Sequence, residues 1–302
     1  MMDVQDVNLS GRVMIVTGAN SGVGKATAQK LAEMGAEVIM MARDRRRGAA
    51  ALADVRQSSG NPNVHLMLCD LSSLDSIERF AAQFRQRFER LDILINNAGV
   101  FLARREESVD GLELSLVTNH LGHFWLTLLL LDMLKASAPA RIINVSSDAH
   151  RGQSISFDNL QRKKGYGLMR VYGETKLMNI LFTYELNRRL EGSGVTVNAM
   201  HPGFVRSNFG RNNFGLLGQI LMPLIQLVGR SAEKGAETVV YLASDPDLTD
   251  VSGKYFVDKR AVRSSKASYD QEAQRRLWQV SETLLARNKP EVFNETGAVA
   301  PA

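Results

Sequence analysis

Short, almost unbroken apolar runs alternate along the chain with longer stretches of helical periodicity. The runs fall near 12–17, 36–42, 64–69, 91–96, 140–146, 194–200 and 253–257. Runs of this length without polar alternation predict strands buried on both faces. Between them, residues 22–34, 73–90, 111–136, 170–191 and 231–243 predict helices, the first stopped by Gly35. Strand–helix alternation of this kind builds an α/β fold, a doubly wound parallel sheet of about seven strands with helices on both faces. Ligands bind such sheets at the carboxyl ends of the strands. The pattern shows no internal repeat and no domain boundary, so residues 1–287 read as one domain and 288–302 as a loose polar tail.

The first strand runs into Thr17-Gly18-Ala19-Asn20-Ser21-Gly22-Val23-Gly24, and a helix follows at once. Strand, glycine-rich turn and helix are the setting a dinucleotide fingerprint requires. The glycines let the turn close and let the backbone approach a pyrophosphate at a helix N-terminus. Three residues separate the first two glycines here and one separates the last two, unlike Gly-x-Gly-x-x-Gly. The second strand ends at Ala42 and Arg43, where a carboxylate would hold a ribose 2′-hydroxyl and an arginine a 2′-phosphate. Asp44 comes one step too late, and a phosphate beside Arg43 would meet a planar charged fork. The cofactor is therefore read as NADP(H). Some of Arg45, Arg46 and Arg47 read as a solvated helix start.

Tyr172 and Lys176 lie four apart in a helical stretch, so they share one face. An ammonium beside a phenol favours the phenolate and predicts a lowered tyrosine pKa, suited to proton transfer near neutrality. The pair by itself is equally consistent with an exposed helix face. Its company decides.

Taken in order, these segments resemble the short-chain dehydrogenase/reductase family, and more narrowly its retinol-dehydrogenase-like branch, from about Gly11 to Ser281. Gly18, Asn20, Ser21, Gly22, Val23 and Gly24 match the family's Rossmann-type cofactor turn. Asp70-Leu71 matches the pair beside the adenine, and Asn97, Ala98 and Gly99 match the segment that steadies the central sheet beside the cofactor. Asn119 falls on the family's catalytic asparagine, Ser147 (the second of Ser146-Ser147) on its serine, and Tyr172 and Lys176 on Tyr-x-x-x-Lys. Pro202, Gly203, Val205 and Ser207 match the segment that contacts the nicotinamide carboxamide. Thr175 stands where the family often has serine, and a hydroxyl is kept.

The resemblance implies the chemistry. A carbonyl oxygen would lie between Ser147, which positions it, and Tyr172, which gives or takes its proton as hydride moves at the nicotinamide. Lys176 would lower the tyrosine pKa and bind the nicotinamide ribose. Asn119 is expected to hold a water that links Lys176 to solvent. No metal is called for: none of His65, His120, His123, His150 and His201 forms a ligand-spaced cluster with Cys69, and the His120/His123 pair lacks a third ligand.

Composition changes little. With 302 residues and 44% hydrophobic content the chain suits a large α/β domain. One cysteine permits no internal disulfide, and Met1 to Ser10 carries no apolar signal core, so a cytoplasmic location is expected. The charge of +5 and pI near 9.4 do not point to nucleic acid, because the basic residues are scattered outside 43–47. The run 124–131 is too short to span a bilayer and reads as a buried helix.

Two segments should choose the substrate, 150–169 and a lid at about 208–230. The second is rich in Phe, Leu, Ile and Met, which first of all suits a lipophilic aldehyde or ketone, and would also suit peripheral docking on a membrane or another subunit. The resemblance implies pairing into a dimer or tetramer through the helices at 111–136 and 170–191. The rival to an enzyme is a non-catalytic protein that senses NADP(H) and signals through a partner; it predicts loss of the serine, tyrosine or lysine, and all three are present with Asn119.

Overall fold

The structure is a computed structural model and describes residues 7–205 and 229–288. Ser207 and nearly all of the lid at 208–230 lie outside the described residues. Eight strands form one sheet: β1 (Val13–Thr17), β2 (Glu37–Ala42), β3 (Val64–Leu68), β4 (Ile93–Asn96), β5 (Ala140–Val145), β6 (Val195–His201), β7 (Tyr255–Val257) and β8 (Arg260–Val262). Their order is β3-β2-β1-β4-β5-β6-β7-β8. The seven strands predicted from the apolar runs all run parallel to one another. The eighth, β8, pairs antiparallel with β7. Its three residues are all exposed, so it has no apolar signature for a sequence reading to detect.

Each strand interior feeds two cores. In β1, Val13 and Ile15 join one apolar cluster while Met14 and Val16 join the other. In β2, Ile39 and Met41 divide from Val38 and Met40 in the same way. Period-two alternation with both faces apolar is what an unbroken hydrophobic run becomes in a two-sided sheet. The second cluster is covered by α1 (Gly22–Glu33), α2 (Arg45–Ser59) and α6 (Ala232–Ser244). The first is covered by α3 (Leu74–Arg87), α4 (Leu114–Ala136), α5 (Leu168–Arg189) and α7 (Gln271–Asn288).

α2 begins at the arginine cluster, and Arg45, Arg46 and Arg47 make its exposed first turn. Asp44 caps it by accepting the Arg47 N–H at 2.8 Å. α4 is long and apolar enough to cross a membrane, but 89% of its apolar window is buried inside the fold, which makes it a core helix. Its segment Val117–Leu121 is a π turn. α7 lies across part of the α4 and α5 faces expected to pair with a second subunit. Trp278 packs edge-on to Phe124 at 4.8 Å between ring centres, and Ser281 Oγ meets His120 Nε2 at 3.0 Å.

The strand order reverses at β1: the chain adds β2 and β3 on one side of it and β4 and the later strands on the other. That switch point opens the crevice where such sheets bind ligands. Thr17 ends β1, and Asn96 ends β4.

Candidate active site

The turn after β1 is built for close approach. Gly18 and Gly22 have φ of +68° and +55°, a region that suits glycine. A Cβ at Gly24 would stand 2.5 Å from the Gly18 carbonyl oxygen and from Asn97 Nδ2, whereas one at Gly22 would meet nothing within 4 Å. The turn is thus packed tightly below and open above. Ser21 is the N-cap of α1 yet makes no side-chain cap bond, and the first turn carries no acid. The amides at that helix end therefore face the open side uncapped, which fits an anionic pyrophosphate.

Thr17 ties this turn to β4. Its hydroxyl accepts the N–H groups of Asn97 at 2.8 Å and Ala98 at 2.9 Å. Asn97 Nδ2 donates to the Thr17 carbonyl at 2.7 Å. Asp70 closes its own turn after β3 by accepting Ser72 N–H and O–H, while the Leu71 carbonyl abuts Gly122. Past β6, Gly203 takes φ +82° with the Arg230 side chain lying against it. Val205 bridges to Arg230 and packs with Val23 over Gly235, so the segment after β6 leans on the glycine turn. Arg43 is exposed at the tip of β2.

At the end of β5 the two serines part. Ser146 Oγ turns away and donates to the Lys176 carbonyl at 2.7 Å. Ser147 turns toward Tyr172 and favours its ionised form. Its Oγ also accepts the Ala149 N–H at 3.2 Å, which leaves its own proton free to donate. Phe101 meets the Tyr172 ring edge-on at 5.1 Å. Lys176 Nζ lies 5.5 Å from the Tyr172 ring centre and donates to the Val145 carbonyl at 3.1 Å.

The electrostatics correct one expectation. The Tyr172/Lys176 spacing predicts an acidified phenol, but burial pushes the Tyr172 hydroxyl up to about 12, with Ser147 pulling the other way. Burial also pushes Lys176 down to about 8. Both groups are squeezed toward their neutral forms, because removing water penalises either charge. The ammonium stands over the ring face instead of beside the oxygen, so it does not offset that penalty.

Asn119 sits in the π turn, fully buried. Its Oδ1 accepts from Val100 N–H at 2.7 Å, and its Nδ2 donates to the Val100 carbonyl and to Thr175 Oγ1, each at 3.0 Å. The side chain is thus spent on locking the strand exit to α5. Thr175 passes the contact on by donating to the Tyr172 carbonyl at 2.8 Å.

Three contributors escape a residue-type reading. His123 joins Thr17 Oγ1 (3.0 Å) to the Asn119 carbonyl (3.3 Å), and burial pushes its pKa down to about 3. It is a neutral connector, not a bland core residue. Beneath the site, Asn96 donates to Asn144 and Asn144 to Thr183, at 2.8 and 2.9 Å. On α5, Glu174 forms a buried fork with Arg162 of the 150–169 segment, fastening that segment to the helix that carries Tyr172. Only the positions of His123 and Glu174 beside motif residues could have hinted at these links.

The profile of the short chain dehydrogenase family matches residues 12–214. The chain belongs to that family. It is 46% identical over 290 residues to retinol dehydrogenase 13 of Homo sapiens, covering 94% of this chain and 87% of that protein, which places it in the retinol-dehydrogenase-like branch. Among solved structures, an uncharacterised protein from Mycobacterium Paratuberculosis is 34% identical with a TM-score of 0.76, covering 93% of this chain and 96% of its own. The RhlG/NADP active-site complex of Pseudomonas aeruginosa is 30% identical with a TM-score of 0.65, covering 82% and 95%. The chain is an oxidoreductase of the short-chain dehydrogenase family, whose members bind a nicotinamide cofactor.

Proposed function

We propose that this short-chain dehydrogenase is NADP(H)-dependent and interconverts an alcohol and its carbonyl on a lipophilic, retinoid-like substrate. The observation that carries the reading is the approach of Ser147 to Tyr172 at the carboxyl end of β5, where it offsets part of the burial of the phenol, with Lys176 buried one helical turn along. Gly18 to Gly24, Asp70, Leu71, Asn97, Ala98, Gly99, Pro202, Gly203, Val205 and Ser207 would hold the cofactor. When bound, it supplies or accepts the hydride.

The protein's own residues do the rest. Ser147 keeps its proton available and hydrogen-bonds the reacting oxygen. Tyr172 delivers a proton to that oxygen during reduction and takes it back during oxidation. Lys176 would bind the nicotinamide ribose. With the Asn119 amide engaged and its backbone carbonyl already accepting from His123, a relay water would use the second lone pair of that carbonyl. Asp44 spends its carboxylate on the α2 cap, so Arg43 faces a cofactor phosphate without competition from an acid, which supports NADP(H) over NAD(H). Exposed apolar side chains at Met169 and Phe204, each 60% accessible, stand in or beside the two substrate segments and support a lipophilic ligand.

The test is NADPH oxidation with a panel of aldehydes and ketones, comparing Tyr172→Phe with the parent. Loss of about 10²- to 10⁴-fold in turnover is expected; equal rates would remove the mechanism. Arg43→Ala should weaken NADPH binding by about 1.5–3 kcal/mol and leave NADH binding nearly unchanged. Equal weakening of both would sink the cofactor assignment. A sensing protein would bind NADPH and turn over none of the panel.

A further inference from the structure

The turn that follows Ser147 is held in an unusual way. Ser147 is extended, with φ −157° and ψ 155°, and caps the short helical turn Asp148–His150. The Ser147 carbonyl accepts two hydrogen bonds, and both come from His150. The His150 backbone N–H lies at 3.1 Å and the ring Nδ1 at 2.7 Å. The His150 side chain is fully buried.

The partner on the other side of the ring fixes its proton. Nε2 lies 3.0 Å from the backbone nitrogen of Ser265, and a backbone N–H can only donate. Nε2 must therefore present a lone pair, so the ring is neutral and its single proton sits on Nδ1, aimed at the Ser147 carbonyl. Burial acts in the same sense and lowers the ring's pKa. A second tether runs in parallel, from Arg151 Nη2 to the Arg263 carbonyl at 3.1 Å.

We propose that His150 is a positioning residue for Ser147: its tautomer-fixed ring clasps the serine's carbonyl and anchors it to the segment at 263–269. Both lone pairs of that carbonyl are engaged, so the peptide plane after Ser147 cannot rotate. With that plane held, the Ser147 Cα–Cβ bond keeps its aim, and the Ala149 N–H, on the same short turn, selects the χ1 rotamer by donating to Oγ at 3.2 Å. The inference rests on Ser147 acting on the reacting oxygen, as proposed above.

Two amide variants separate the arms of the clasp. In His150→Asn the side-chain N–H takes the place of Nδ1 and keeps the bond to Ser147. In His150→Gln the carbonyl takes the place of Nε2 and keeps the bond to Ser265. His150→Asn should hold kcat within about threefold of the parent, and His150→Gln should lose about tenfold or more, each with KM for NADPH unchanged. Equal losses in the two variants, or parental kcat in His150→Gln, would overturn the proposal. Imidazole ¹⁵N spectra of the parent provide a readout independent of turnover: Nδ1 should carry the proton, and a proton on Nε2 would also overturn it. If the parent turned over no carbonyl, the oxidoreductase reading would fail while these spectra still tested the clasp.

Discussion

Gly173 lies so close to Ala149 that a Cβ added to it would stand 2.5 Å from the Ala149 carbonyl oxygen. The residue beside the catalytic-position tyrosine is therefore the point where α5 rests on the turn after Ser147. Gly173→Ala should push that turn and α5 apart. Overpacking of this kind costs about 1–3 kcal/mol of stability. A shift approaching an ångström between Ser147 and Tyr172 should cost turnover about two orders of magnitude. Urea denaturation and kcat measured on the same variant check both halves.

Lys176 gives a trade between stability and chemistry. Its ammonium is 3% exposed, and burial holds its pKa near 8 against an ordinary 10.5. Below about 8 the buried lysine is charged and burdens the fold. Between about 8 and 10.5 the native lysine is neutral while the unfolded one still binds a proton, so that burden fades as pH rises. Lys176→Met should be more stable than the parent at pH 7 by about 1–3 kcal/mol, and the advantage should shrink across that window. Its turnover should be lost. Thermal melts across pH with parallel NADPH assays measure it.

Asp92 should show the opposite pH sign. Burial pushes its carboxyl up, but bonds from Arg90, the Val13 N–H and Arg12 outweigh this and leave it below its ordinary value. Its stabilising contribution is complete above the ordinary carboxylate pKa of 3.8 and is lost as pH falls through the lower native value. Asp92→Asn should cost about 2–3 kcal/mol at neutral pH. The two arginines are 41% and 47% exposed, which keeps the loss below that of a fully buried pair. The gap between parent and variant should close in acid, as denaturant titrations at several pH values would show.

His123→Phe keeps the ring volume and removes both contacts. The Thr17 hydroxyl already accepts two backbone N–H groups, so its proton would lose its buried acceptor, at about 1–3 kcal/mol. Because Thr17 also orders the glycine turn, NADPH affinity should fall along with stability. Unchanged affinity, measured by fluorescence titration, would show that the turn is ordered without the imidazole.

The sequence pattern carried the fold well because its signals are local. Unbroken apolar runs in β1 to β7 and glycine after α1 each have a direct backbone meaning. β8 escaped because an exposed three-residue edge strand buries nothing. In the candidate site, the direction of the two serines was legible from strand alternation: Ser146 turns away to the Lys176 carbonyl and Ser147 turns toward Tyr172. The site was less legible where a residue acts through distant partners. His123 reaches Thr17 across 106 positions, and His150 reaches Ser265 across 115; neither spacing leaves a trace in the letters nearby. The phenol's direction of shift was misread for a related reason. Spacing gives the proximity of Lys176 but not the depth at which both groups lie.

The reach of His150 to Ser265 also bears on how the enzyme can be shortened. The family match stops at residue 214, before β7, Ser265 and α7. A fragment trimmed to that match would keep every motif residue and still leave the Nε2 side of His150 and the ring faces of Phe124 and Phe182 bare. The last quarter of the described chain thus buttresses the candidate site, and motif completeness alone would overlook the support that such a stump lacks.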